Sequence, residues 1–578
     1  MSAVQIWLSE DLTIPPTDKK EEVINAATWI SWNTDEQKLV TVEEEEHKNA
    51  VLTGNDDNVL LYSFTELTPF YKYGGEYIAI YIKNLKTGTK TLLSPKQTRI
   101  ENQVMVSPGG KYVVYFKDKN WWIYNIELQQ HKCITLGMPL PIHRLDYDRP
   151  NLIPPYGSPG WTKNDENIII YDQFDIWLIK PDGTSRKRIT NGKPTGTTYR
   201  VHENRLKQSP RYTFFGFQTQ VFDFNKMVML TTENSTTLGE GFVTYHDGNL
   251  KQLFKKESKV HFIATSKNQK EHLFLESNFE LPPRLFNLSS EGKETEIKQS
   301  NPQQKDFFWG KSTLINYKNK EGKNLRGALF YPANYDVSKK YPMVVCIYEK
   351  KAQEVLDYNS PSIYSDHGFN NTNYTTEGYF VLYPNIAYGI NTTGDDALQC
   401  VNAAVDEALI TASIDCNALA LIGHSFGGFE AVYIMGHTTI FKTAIIGAPM
   451  IDLVSAYLTT DGHGMSNMWR FEFDQFRMLA TFDSDVFENN TPLKNVKNIT
   501  APLLLWTGTD DKQLDWKHSM KLQSALWRLG KKSTMLVYPN EDHVIANKPN
   551  QFDLTLKCKE WLEFYLKDQP KQEWMGKQ

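Results

Sequence analysis

The chain has 578 residues, 40% hydrophobic and 23% charged, a balance that excludes a wholly disordered polymer and allows two large domains or about four small ones. Its 63 basic and 68 acidic residues give a net charge of −5, so no global field draws it to nucleic acid. Cys133, Cys346, Cys400, Cys416 and Cys558 include no C-x-x-C pair and no run of 18 apolar residues occurs, which excludes a zinc ribbon, a thioredoxin motif and a transmembrane helix.

Five cysteines in a chain of this length argue against a disulfide framework and leave a single bridge open. Met1 to Glu10 lacks a basic segment followed by an apolar one, so no signal peptide is visible. The compartment stays open: periplasmic or extracellular for a chain that has lost its leader, cytoplasmic otherwise.

From residue 1 to about 304 the pattern is short β-type runs broken by turns. Lys111-Tyr112-Val113-Val114-Tyr115-Phe116 and Asn167-Ile168-Ile169-Ile170-Tyr171 are examples. A strand, polar turn, strand unit recurs at Asn33-Thr34-Asp35-Glu36, Lys86-Thr87-Gly88, Glu127-Leu128-Gln129-Gln130, Pro181-Asp182-Gly183, His246-Asp247-Gly248 and Ser290-Glu291-Gly292. Markers Asp35, Thr87, Gln129, Asp182, Asp247 and Glu291 are spaced by 52, 42, 53, 65 and 44 residues. Such periods, each worth about four strands, predict a β-propeller over residues 1–304.

Beyond the polar, Pro-containing stretch 281–304, strands alternate with helices. Strands are predicted at 325–331, 343–348, 379–383, 418–422, 443–446, 503–506 and 534–538, with helices at 396–412 and 516–529. Near-continuous apolar strands separated by helices mean a parallel sheet covered on both faces. Residues 305–578 are therefore expected to form an α/β domain.

Gly423-His424-Ser425-Phe426-Gly427 is the only G-x-S-x-G of the chain. It follows the strand 418–422 and precedes a helix-compatible run, where a nucleophile elbow belongs. A serine hydroxyl needs a base oriented by a carboxylate, and α/β-hydrolases order these Ser, Asp, His along the chain. After Ser425, one strand ends in Thr507-Gly508-Thr509-Asp510-Asp511 and the next in Pro539-Asn540-Glu541-Asp542-His543. Both ends lie where ligands bind open parallel sheets.

On these residues the C-terminal half resembles the prolyl oligopeptidase family of serine peptidases, in its dipeptidyl-peptidase-like bacterial branch. Tyr341-Pro342-Met343-Val344-Val345, Gly423 through Gly428, Gly447-Ala448-Pro449, and Gly508-x-x-Asp511 through His543 carry the resemblance. It implies a propeller joined to an α/β-hydrolase domain, with Ser425 as nucleophile, His543 as base and Asp511 as orienting acid; Asp510 is the rival. It implies an oxyanion hole made by the Phe426 amide and the Tyr348 hydroxyl. Trp469, Phe471, Phe473 and Phe476 fall where the family builds its apolar substrate pocket, and Gln513 stands where it places a substrate-binding Asn or Arg. Phe in place of family tyrosines weakens a post-proline assignment. The run Glu43–Glu46 has the look of the Glu pair of dipeptidyl peptidases, but a solvated strand end is the better reading of it.

The expected function is hydrolysis of short peptides through an acyl-enzyme, with post-proline or dipeptidyl-peptidase-like cleavage, no metal and no organic cofactor. A carboxylester hydrolase on the same triad and a non-catalytic propeller binding protein are the alternatives. The partners expected are peptide substrates, not nucleic acid or a membrane span. The family carries seven or eight blades and a preceding segment that joins the hydrolase domain. Here only six turn markers occur, and Val4-Gln5-Ile6-Trp7 reads like a strand inside a blade. The expectation is an incomplete propeller of five or six blades whose open edge favours homo-oligomers.

Overall fold

The computed structural model describes residues 6–9, 29–34, 37–55, 57–98, 103–202, 220–268, 270–460 and 466–576. Two compact units emerge. Among the described residues from 29 on, one holds those up to 257 and the other those of 258–576. Val4, Gln5, Asp35 and Glu36 lie outside the described residues, and Ile6 and Trp7 are exposed and in no strand.

In the first unit antiparallel sheets succeed one another along the chain. The hairpin of Ile30–Asn33 and Lys38–Thr41 comes first, followed by four-stranded sheets over 49–98 and 104–133. The sheet over 160–188 takes Gln220–Phe222 as a parallel fifth strand, and a four-stranded sheet over 197–255 follows. The last five marker turns hold one place in their meanders, joining the third strand to the fourth; Lys86-Thr87-Gly88 links Tyr77–Asn84 to Lys90–Thr98 in this way.

Side-chain alternation explains why these strands read as unbroken apolar runs. Val113 and Tyr115 pack with the sheet before them, while Val114 and Phe116 pack with the sheet after. Ile168 and Ile170 likewise face one neighbour and Ile169 and Tyr171 the other. A strand buried on both faces has no polar side to alternate.

A further four-stranded sheet over 259–299 falls in the second unit. The compact unit that holds it begins at Ser258. Phe279, in the loop between the second and third strands of this sheet, explains the placement. It is buried, its ring is 4.8 Å from Phe330, and its carbonyl accepts a 2.8 Å bond from the Trp309 indole.

The rest of this unit is one eight-stranded sheet. Its strands are β1 (Ser312–Lys318), β2 (Asn324–Phe330), β3 (Tyr341–Ile347), β4 (Phe380–Pro384), β5 (Ile414–His424), β6 (Thr443–Gly447), β7 (Leu503–Gly508) and β8 (Ser533–Tyr538). Their order is β1-β2-β4-β3-β5-β6-β7-β8, with β2 antiparallel to β1 and β4 and all later pairs parallel. This is the α/β-hydrolase arrangement. All seven expected strands occur within a few residues of their predicted bounds; β1 was not expected.

Helices α1 (Thr393–Thr411) and α2 (Phe426–Met435) cover one face, burying Ala404, Val401, Val432 and Phe429 against Leu419, Leu421, Ile446 and Leu505. Helix α3 (Lys517–Arg528) adds Leu522 and Leu526 to the same core. Helix α4 (Lys548–Lys567) packs on β5 and β6, and its Trp561 indole donates to Thr443 Oγ1 at 2.7 Å. Burial on both faces is what the apolar strand pattern demanded.

Candidate active site

The C-terminal ends of β3, β5, β7 and β8 bring the expected residues to one edge of the sheet. Ile347 pairs with Gly423, so Tyr348 and the elbow follow directly from neighbouring strands at the same level. The elbow turns on Ser425, at φ 58° and ψ −119°, a conformation that costs a non-glycine residue strain. It is tight because a Cβ on Gly423 would lie 2.0 Å from the Gly427 carbonyl, and one on Gly427 would lie 2.3 Å from that of Ile347. Only glycine permits that approach. Helix α2 starts at Phe426, whose N–H therefore has no acceptor within the helix.

At the other two strand ends the loops are latched together. Asp510 N–H donates to the Glu541 carbonyl at 2.9 Å, and Asp542 Oδ1 accepts from Lys512 N at 2.8 Å and His543 N at 2.7 Å. The buried Glu541 carboxylate closes the His543 loop by accepting from Ala546 N at 2.7 Å and Asn550 Nδ2 at 2.6 Å. Within this frame His543 Nδ1 lies 2.6 Å from Asp511 Oδ2, with the Asp511 side chain 0% and the His543 side chain 6% exposed. Asp511 Oδ1 accepts from Gln513 N and Leu514 N, each at 2.8 Å. Asp510 is exposed. The carboxylate beside the imidazole is that of Asp511.

The far nitrogen, His543 Nε2, is buried and has no hydrogen-bond partner. His424, one residue before Ser425, ties this imidazole to the elbow. Its ring stacks on Trp506 at 4.9 Å and lies 4.7 Å from the His543 ring. Its Nε2 donates to the His543 carbonyl at 2.9 Å, which fixes the Nε2–H tautomer because a carbonyl only accepts. Burial, and then the neighbouring His543, push the His424 pKa down to about 3, so it is neutral at ordinary pH.

Tyr348 is 38% exposed, with its ring 6.3 Å from that of Phe426. Its hydroxyl meets Gln475 Nε2 at 3.3 Å, and Gln475 Oε1 accepts from Arg470 at 2.6 and 3.2 Å. Of the four aromatic residues expected to line a pocket, Phe471 (0% exposed) and Phe476 (1%) are core rings, stacked 4.2 Å apart against Phe487, Phe426 and Phe429. They back the site without presenting a face to a ligand. Trp469 and Phe473 are half-buried, and Gln513 is exposed. Glu44 is paired with Lys83 at 3.0 Å and Lys90 at 2.6 Å, and the Lys90 hydrogen bond lowers its pKa. All five cysteines are free, and burial raises the thiols of Cys346, Cys400 and Cys558. Among the described residues no helix is long and apolar enough to cross a membrane.

Sequence reasoning missed His424, read only as the variable place of the motif, and the Gln475–Arg470 pair. The available signal for the pair was polarity: two hydrogen-bonding side chains inside an aromatic run must find partners if buried.

Residues 388–569 match the prolyl oligopeptidase family. An uncharacterized peptidase, YuxL, of Bacillus subtilis (strain 168) is 25% identical over 285 residues, 46% of this chain and 40% of the relative. Dipeptidyl-peptidase 5 of Porphyromonas gingivalis is 26% identical over 266 residues, 43% of this chain and 37% of the relative. The match therefore spans about two fifths of those relatives' lengths. Among solved structures, dipeptidyl peptidase 4 of Porphyromonas gingivalis shares the fold with a TM-score of 0.62 at 14% identity, covering 93% of this chain and 80% of that one.

Proposed function

Because residues 388–569 form a domain of the prolyl oligopeptidase family, we propose that the chain is a serine peptidase that hydrolyses short peptides through an acyl-enzyme. One observation carries the reading: a buried Asp511–His543 pair whose outer nitrogen is unpartnered, tied by His424 to a strained Ser425 elbow.

In this mechanism Asp511 holds the Nδ1–H tautomer, leaving Nε2 as the base. As Ser425 Oγ attacks the scissile carbonyl, Nε2 takes its proton and later delivers it to the leaving amine. The Phe426 N–H and the Tyr348 hydroxyl receive the oxyanion. Water, activated by the same imidazole, then releases the acyl group. No step calls for a metal or an organic cofactor. Trp469 and Phe473 are the proposed walls for the apolar side chain before the scissile bond, with Gln513 at the rim.

The similarity to dipeptidyl-peptidase 5 supports release of dipeptides. Glu44, already paired with two lysines, is not the amine-binding group in this reading. We further read the successive four-stranded sheets as blades of a propeller. Their shared hairpin position and sheet-on-sheet packing support it.

The test is a panel of short peptides and matched esters, with products read by mass spectrometry. Dipeptides from the peptide set support the proposal. Hydrolysis confined to esters overturns it.

A further inference from the structure

We propose that Gln475 is a positioning residue that aims the Tyr348 hydroxyl, so that its proton points at the oxyanion. The inference rests on the reading of Tyr348 as an oxyanion donor.

Hydrogen-bond inventory carries the argument. A guanidinium has donors only. Arg470 places two of its N–H groups, from Nε and Nη2, on one oxygen of Gln475, at 3.2 and 2.6 Å. That oxygen is thereby fixed as Oε1, and the other end of the buried side chain is the Nε2 amide, which is also a donor. Nε2 faces the Tyr348 hydroxyl at 3.3 Å, so the hydroxyl accepts. A phenol has one proton and two lone pairs. With a lone pair engaged by Gln475, the O–H must turn away from Gln475. A donor resting on the phenol oxygen also polarises the O–H and strengthens its outgoing bond.

The geometry is preorganised, which is what transition-state stabilisation requires: the hydroxyl does not reorient as charge develops. A serine or threonine hydroxyl on Gln475's side would accept or donate as needed. The Arg470-locked amide can only donate.

Gln475→Glu inverts this logic while keeping the Arg470 partner. A carboxylate accepts only, so the Tyr348 proton would turn to residue 475 and be lost to the oxyanion. Gln475→Met removes the donor at similar size. The rate constant for labelling by a fluorophosphonate probe, whose phosphoryl oxygen occupies the oxyanion position, is measured together with kcat and KM on a peptide. The variants are made in the wild-type and Tyr348→Phe backgrounds.

The expected result is a fall in kcat and labelling rate for Gln475→Glu of roughly 10²-fold, approaching that of Tyr348→Phe. Gln475→Met should lose less and KM should barely move. In the Tyr348→Phe background both substitutions should change the rate by less than about twofold, since coupled residues are non-additive. Equal losses in both backgrounds, or a Gln475→Glu protein as fast as wild type, overturn the role of Gln475. A Tyr348→Phe protein within a few-fold of wild type instead overturns the oxyanion reading beneath it.

Discussion

Asp511→Asn should leave the fold intact and remove nearly all activity, and the hydrogen bonds of Asp511 say why. Its Oδ1 accepts two backbone N–H bonds at 2.8 Å, from Gln513 and Leu514. An asparagine keeps its oxygen on those donors, which places its NH₂ against His543 Nδ1, 2.6 Å from the replaced oxygen. Two donors cannot face each other, so Nδ1 must give up its proton and act as acceptor. The neutral imidazole then carries its proton on Nε2 and cannot take one from Ser425. The expected loss is about 10⁴ in kcat, the usual consequence of the wrong tautomer. That corresponds to about 5.4 kcal/mol of barrier at 1.36 kcal/mol per tenfold. Peptide hydrolysis measures the loss, and ¹⁵N shifts of the His543 ring report the tautomer. Asp510→Asn is the control: that side chain is exposed and should leave the rate within about twofold. A kcat for Asp511→Asn within tenfold of wild type, or an equal loss for Asp510→Asn, would refute the reasoning.

Tyr348→Phe should cost about 2.7–4 kcal/mol of transition-state stabilisation, as for other single oxyanion donors, read as kcat/KM on peptides; a few-fold effect removes it from the mechanism. Gly423→Ala should lower the Tm markedly, because the new Cβ lies 2.0 Å from the Gly427 carbonyl and overpacking costs about 1–3 kcal/mol; an unchanged Tm contradicts the tight elbow. Burial lowers His424 to about 3 and His518 to about 4, from 6.5. The unfolded chain binds these protons first as pH falls, so their contribution to stability is full above 6.5 and is lost between 6.5 and 3. The slope is up to about 1.4 kcal/mol per pH unit for each group. His424→Gln, which keeps a donor for the His543 carbonyl, should flatten the Tm–pH curve over that window; an identical curve contradicts the buried neutral histidine.

The α/β domain was legible because its central strands carry near-continuous apolar runs and each triad candidate follows one closely. The edge strand β1 escaped notice because Ser312–Lys318 mixes polar and apolar residues, with alternating burial toward its end. The marker turns were legible as repeats; that Phe279 buries its ring against Phe330 was not, because composition carries no record of that contact. The resemblance put the orienting acid at the last place of the G-x-x-D turn, and the carboxylate beside His543 is that of Asp511. The pocket was not legible, since an aromatic run cannot say which rings face inward; Phe471 and Phe476 went to the core. Neither could spacing reveal that His424 and Gln475 work through bonds to residues 119 and 127 positions away.

The central claim, a nucleophilic Ser425 driven by His543, meets its most direct test in intact-mass analysis after fluorophosphonate treatment. The account predicts one adduct, mapped by peptide sequencing to Ser425, absent from a folded Ser425→Ala protein and strongly slowed in His543→Ala. Labelling that persists in Ser425→Ala, or a folded wild-type chain that takes up no probe, would contradict it.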